Sequence, residues 1–251
     1  MKTNFKGTAL ITGVTEGIGK SLTELFIKEN YFVVGVARNS DKLELMKSDF
    51  KNQFDYIKAD LCNPKELQKV LDRIAADSFD VCINNAGLGG VGAFTEIPMD
   101  KHQEVLDLNI SALVKISYSF LKTAKSGDAL VNVSSVLAFA PLPNLGLYSG
   151  TKAFVTSFTE TLYSQYKSKN IFVCSLHPGK TLTEFRNRAG GERDRRSLIT
   201  QNPDQVAQCL WRALRAKCGP NIISGSMNKL AMILIKFLPR KLVLRIMSQI
   251  D

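Results

Sequence analysis

The chain is poor in the residues that build metal centres. Only two histidines occur, His102 and His177, and no carboxylate or cysteine cluster stands at ligand spacing, so no catalytic metal is expected. The five cysteines, Cys62, Cys82, Cys174, Cys209 and Cys218, form no C-x-x-C pair. Cys82 and Cys174 fall in strand-like apolar segments and read as small core residues in a reducing cytoplasm, not as disulfide partners. The start, Met1-Lys-Thr-Asn-Phe-Lys, enters a strand-like run at once, and no signal peptide is expected. There is no internal repeat, low-complexity tract or interdomain linker, which excludes solenoids and a multidomain layout.

What is plentiful is positive charge. The 251 residues carry a formal net charge of +10, and residues 186–251 hold thirteen Lys and Arg against four acids. No stacking-rich basic platform or nucleic-acid recognition motif accompanies this excess, so nucleic-acid binding is not expected. Five arginines lie between Arg186 and Arg196 around Gly190-Gly191. They read either as a solvated flexible loop or as an attractor for an anionic ligand.

Strand-like and helix-like segments alternate along the chain. Residues 8–12, 31–37, 54–59, 80–83, 129–133, 171–176 and 221–224 are the expected strands, with long helices near 100–125 and 148–168. That alternation predicts an α/β fold with a parallel sheet covered by helices on both faces. The first strand runs into Gly13-Val-Thr-Glu-Gly17-Ile-Gly19 and then a helix. Strand, glycine turn and helix present backbone N–H groups and a helix N-terminus to a pyrophosphate. The spacing is G-x-x-x-G-x-G, not the general G-x-G-x-x-G. The second strand ends in Ala37-Arg38, where a carboxylate would favour NAD; an arginine suits a 2′-phosphate instead.

Tyr148-Ser-Gly-Thr-Lys152 places a tyrosine and a lysine one turn apart on one helix face. An ammonium beside a phenol favours the phenolate, so Tyr148 is expected to act in proton transfer with a pKa below its usual ~10. Ser135, thirteen residues earlier, supplies a hydroxyl able to hold a substrate oxygen.

In order, Thr12-Gly13-x-x-x-Gly17-Ile18-Gly19, Asn84-Asn85-Ala86-Gly87, Ser135 and Tyr148-x-x-x-Lys152 resemble the short-chain dehydrogenase/reductases of the compact, single-domain branch. The similarity spans residues 6–225. It implies a Rossmann-type doubly wound parallel sheet of about seven strands, and reversible hydride transfer between NADP(H) and a carbonyl or secondary alcohol. It implies a cofactor turn of Gly13, Thr15, Gly17, Ile18 and Gly19, adenine contacts from Asp60 and Leu61, and Asn85, Ala86 and Gly87 behind the ribose. Asn109 matches the asparagine whose backbone positions a water in a proton relay. Ser135, Tyr148 and Lys152 match the catalytic serine, tyrosine and lysine. Pro178, Gly179, Thr181 and Thr183 match the segment that fixes the nicotinamide carboxamide. Two departures stand out: Cys62 follows Asp60-Leu61 where small polar residues are common, and Thr181 replaces a frequent aliphatic residue. No catalytic position is substituted. The family's dimers and tetramers imply a homo-oligomer built on the long helices.

Loops near 88–96, 136–147 and 184–200 would line the substrate pocket. Leu137, Phe139, Leu142, Leu145 and Phe185 make it apolar and favour a lipophilic substrate. Residues 1–225 form the expected catalytic domain and 226–251 an extension. Its first apolar run, 230–238, is nine residues long with Lys236 inside it, short of the ~20 needed to span a bilayer. Pro239 separates it from a second apolar and basic segment. Three roles stay open for this tail: a wall over the substrate cleft, a contact with a partner subunit, or a peripheral membrane contact. A cytoplasmic enzyme is the expectation, with peripheral membrane contact left open. The alternative is an NADPH-binding sensor or membrane-associated scaffold without turnover.

Overall fold

Seven short, mostly apolar segments make one parallel sheet in the computed structural model, which describes residues 5–191 and 200–250. In chain order the elements are β1 (Gly7–Thr12), α1 (Gly17–Lys28), β2 (Tyr31–Ala37), α2 (Ser40–Phe50), β3 (Phe54–Lys58), α3 (Pro64–Ala76) and β4 (Val81–Asn84). Then come α4 (Met99–Leu106), a π-helical segment (Asp107–Ala112), α5 (Leu113–Thr123), β5 (Ala129–Val133), α6 (Gly146–Tyr166) and β6 (Phe172–His177). The chain continues through α7 (Phe185–Arg188), α8 (Pro203–Ala216), β7 (Asn221–Ile223), α9 (Ser226–Phe237) and α10 (Arg240–Ile250). Each strand lies within one residue, at either end, of its sequence-based span.

The strand order is β3-β2-β1-β4-β5-β6-β7, all parallel. Successive strand residues point to opposite faces, and each face has its own apolar layer. Ala9 and Ile11 pack with Leu22, Phe26, Leu43, Leu210 and Trp211 of α1, α2 and α8. Leu10 packs with Val70, Ile74, Ile116, Phe120 and Leu162 of α3, α5 and α6. Burial on both faces is why these strands read as unbroken apolar runs. Side-chain caps start several helices on time. Asn63 accepts from Lys65 N and Glu66 N with Pro64 at the first helical position, and Gln205 accepts from Asn202 N at 2.9 Å at the start of α8.

The order reverses between β1 and β4, so a crevice opens at their carboxyl ends, where ligands bind in open α/β sheets. The glycine turn leading into α1 lies there. Gly13 has φ +72°, and a Cβ at Gly19 would clash with the Gly13 carbonyl oxygen. Both positions therefore demand glycine. The Gly19→Ala variant is expected to lose roughly 1–3 kcal/mol of stability through overpacking. A fall in the urea midpoint, with weaker nucleotide binding, is the expected result; an unchanged midpoint would show that the turn tolerates a methyl group.

Candidate active site

Thr12 sets the floor of the crevice. Its hydroxyl accepts from the N–H groups of Asn85 (3.0 Å) and Ala86 (2.9 Å), and Asn85 Nδ2 donates back to Thr12 O at 2.9 Å. The loop after β4 is thereby pinned to the glycine turn. The loop after β6 closes on the same turn, since a Cβ at Gly17 would lie 2.8 Å from Thr183 Cγ2. Between these loops lies a cleft of about 670 Å³. Gly13, Thr15, Gly17, Ile18, Arg38, Asp60, Leu61, Asn85, Ala86, Gly87, Ser135, Tyr148, Lys152, Pro178, Gly179, Thr181 and Thr183 all line it. Gly19 and Asn109 do not line it and stand behind it.

Asn109 is fully buried in the π-helical segment. Its side chain accepts from Leu88 N (2.9 Å) and donates to Leu88 O (2.8 Å) and Thr151 Oγ1 (3.0 Å). It joins the loop after β4 to α6. Ser135 follows β5 in extended conformation, and its Oγ accepts from Leu137 N at 3.2 Å. Tyr148 and Lys152 lie on the first turns of α6, both buried. Tyr148 is hydrogen-bonded to Ser135, and its ring centroid lies 5.1 Å from that of Phe185.

One expectation is corrected here. Lys152 does not pull the tyrosine pKa down. Its Nζ donates to Val133 O at 2.8 Å and lies 5.5 Å from the Tyr148 ring centroid. Burial pushes the Tyr148 hydroxyl up to about 12, against a smaller lowering by the Ser135 hydrogen bond. The same burial brings the Lys152 ammonium down to about 8. Desolvation outweighs the spacing argument because both groups sit away from water. A second correction concerns Phe139, which stacks against His177 at 4.9 Å and is not part of the cleft wall. Leu137, Leu142, Leu145 and Phe185 do line the cleft.

Three features escape a reading of the sequence. Glu16, inside the glycine turn, pairs with Lys42 of α2 and, at 2.8 Å, with Arg188 of α7. The Lys42 hydrogen bond holds the Glu16 carboxyl below its ordinary range, with burial opposing and Arg188 assisting. His177, fully buried and lowered in pKa chiefly by burial, sets Nδ1 3.1 Å from Ser135 O. Met247 of α10 reaches the cleft from the tail. Only Glu16 lay inside a recognisable motif, and its partners come from distant segments. Of the arginine-rich loop, Arg193, Arg195 and Arg196 lie outside the described residues. Among the described residues no group of His, Cys, Asp and Glu is arranged to hold a metal ion.

Residues 7–194 match the family model for short chain dehydrogenases. The chain belongs to this family. It is 34% identical over 223 residues to a serine 3-dehydrogenase of Rhizobium radiobacter, covering 84% of this chain and 89% of that protein. It is 30% identical over 231 residues to a 7beta-hydroxysteroid dehydrogenase of Mediterraneibacter gnavus, covering 88% and 86%. A short-chain dehydrogenase from Sphingobium yanoikuyae in complex with NADPH superposes with a TM-score of 0.81 over 93% of this chain and 97% of that one, at 24% identity, a likeness of fold. As a short-chain dehydrogenase, the protein is an oxidoreductase acting on CH–OH or C=O groups.

The buried lysine makes this site a cost to the fold. A shift from 10.5 to about 8 corresponds to about 3 kcal/mol at neutral pH. Removing the ammonium strands the Val133 carbonyl, which costs ~1–3 kcal/mol. Lys152→Met is therefore expected to stabilise the unliganded protein by about 1 kcal/mol at pH 7. Between about 8 and 10.5 the unfolded chain keeps a proton that the folded chain has lost, so wild-type stability climbs with pH and the variant's advantage disappears. Urea unfolding at pH 7 and again near pH 9.5 measures this; a variant advantage equal at both values would refute the assignment.

Proposed function

We propose that the protein is an NADP(H)-dependent reductase or dehydrogenase of lipophilic carbonyls and secondary alcohols. The observation that carries this reading is the convergence of Ser135, Tyr148 and Lys152 on one cleft with the glycine turn and Arg38. The cradle fits a dinucleotide: its turn is closed to side chains at Gly13 and Gly19, and a Cβ at Gly87 would come 3.5 Å from Lys152 Nζ. A nicotinamide dinucleotide bound there would supply or accept the hydride.

The chain's own residues handle the proton and the charge. Tyr148, with its pKa near 12, holds its proton throughout the neutral range and is a donor to an alkoxide oxygen in the reductive direction. Ser135 donates a hydrogen bond to that same oxygen. Lys152 and Tyr148 would hold the ribose hydroxyls, Asp60 and Leu61 would border the adenine, and Pro178, Gly179, Thr181 and Thr183 would hold the carboxamide; all line the cleft. Asn109 fixes the helix and loop that frame the proton route.

Preference for NADP(H) is supported by Ala37-Arg38 at the end of β2. The Arg38 side chain is 61% exposed and only loosely paired with Asp60 at 3.6 Å, so its guanidinium is free to turn to a 2′-phosphate. A lipophilic substrate is supported by Leu137, Leu142, Leu145, Phe185 and Met247 along the cleft. The intact proton-transfer set in one cleft argues against a sensor or scaffold without turnover. Residues 1–225 constitute the catalytic domain in this reading, and 226–251 an extension packed on it. Exposed Tyr118 on α5 and the stacked Phe154 and Phe158 of α6 support assembly into a dimer or tetramer. The five free cysteines fit a reducing, cytoplasmic setting.

Two experiments test the reading. Titration with NADPH and NADH should show a clear NADPH preference that collapses by ~10-fold or more in Arg38→Ala; equal affinities in the wild type would remove the NADP assignment. Tyr148→Phe should cut turnover of an apolar ketone by ~10²-fold or more while NADPH still binds. Retained turnover would exclude Tyr148 as the proton donor.

A further inference from the structure

The tail is held to the domain by one face and leaves another bare. Asn228 Nδ2 donates to Ser224 O at 2.7 Å, and Met232 and Val243 are buried. Arg240 Nη1 donates to Phe139 O at 2.8 Å, and Met247 reaches the cleft. These contacts fix α9 and α10 beside the apolar end of the cleft. Of the thirteen large hydrophobic residues exposed among the described residues, eight belong to these two helices.

On α9 the exposed residues form a pattern. Met227, Leu230, Leu234 and Phe237 recur at helical spacing, with Ile233 beside them. They lie opposite the face that carries Asn228 and Met232. Phe237, at the stripe's end, is 82% exposed. Leu242, Leu244 and Ile246 of α10 are exposed as well.

The charges around this surface are of one sign. Residues 226–250 contain Lys229, Lys236, Arg240, Lys241 and Arg245 and no aspartate or glutamate. An exposed apolar stripe edged by cations matches a bilayer interface with anionic headgroups: alkyl side chains enter the acyl boundary while lysine and arginine stems reach the phosphates. A second copy fits poorly, because a two-fold contact sets the same patch on both sides and confronts five cations with five more. No helix among the described residues is long and apolar enough to cross a membrane.

We propose that the outward apolar stripe of α9 docks the protein on anionic lipid bilayers. This docking rests on the tail alone and does not depend on the hydride-transfer reading.

The test is co-sedimentation of the full chain with vesicles of phosphatidylcholine alone, and of phosphatidylcholine with phosphatidylserine at about three to one. Leu230→Gln/Leu234→Gln/Phe237→Gln is compared with the wild type, and a matching thermal melt certifies its fold. Expected are binding to the phosphatidylserine vesicles, at least ~10-fold weaker binding to phosphatidylcholine alone, and a similar loss in the triple variant and in high salt. Absence of binding to the anionic vesicles overturns the proposal. So does binding unaffected by the triple variant. Light scattering that shows the triple variant dissociating an oligomer, with no vesicle binding by the wild type, would assign the face to self-association instead.

Discussion

The buried Lys152 ammonium is the constraint on which the site's geometry depends. It donates to the last carbonyl of β5, at Val133, while Ser134 Oγ donates to Lys152 O at 2.8 Å and meets Thr156 Oγ1 at 2.9 Å. The end of one strand and the second turn of one helix are thus stitched in both directions. Ser135, next along the chain, and Tyr148, one turn earlier on the helix, face each other as a consequence. Burial lowers the Lys152 ammonium pKa, so holding the charge there works against folding at neutral pH.

Around that stitch, the parallel sheet decides where a ligand can enter. Its order reverses between β1 and β4, and the loops after β1, β4, β5 and β6 converge at that end. Thr12 and Asn85 tie the loops after β1 and β4 together, and Thr183 packs against the glycine turn. Glu16 adds a further tie, from the glycine turn to α7 through Arg188. The crevice has its charged end at Arg38 and its apolar end beside Met247 of α10.

Much of this was legible in the sequence, for physical reasons. Strands buried on both faces must be continuous apolar runs, so 31–37 and 129–133 are found at their expected bounds. Side chains three or four residues apart share a helix face, and Tyr148 and Lys152, four apart, both line the cleft. What escaped depends on tertiary context. The π-helical turn at Asp107–Ala112 consists of ordinary helix formers, and it coincides with the bonds from Asn109 to Leu88 and Thr151. The raised pKa of Tyr148 comes from burial, which spacing does not reveal. Phe139 turns to His177 because a buried histidine on β6 offers its ring. The tail's roles were left as alternatives, yet Met247 at the cleft and the bare stripe on α9 belong to the same two helices.

The account stands on hydride transfer at this cleft. The most direct measurement is oxidation of NADPH by the purified protein across a panel of bulky apolar ketones, with product identified as the secondary alcohol. The account predicts stoichiometric alcohol formation with at least one such ketone, and little with small polar ones. Tight NADPH binding with no oxidation by any ketone, and no reverse reaction with the alcohols, would contradict it.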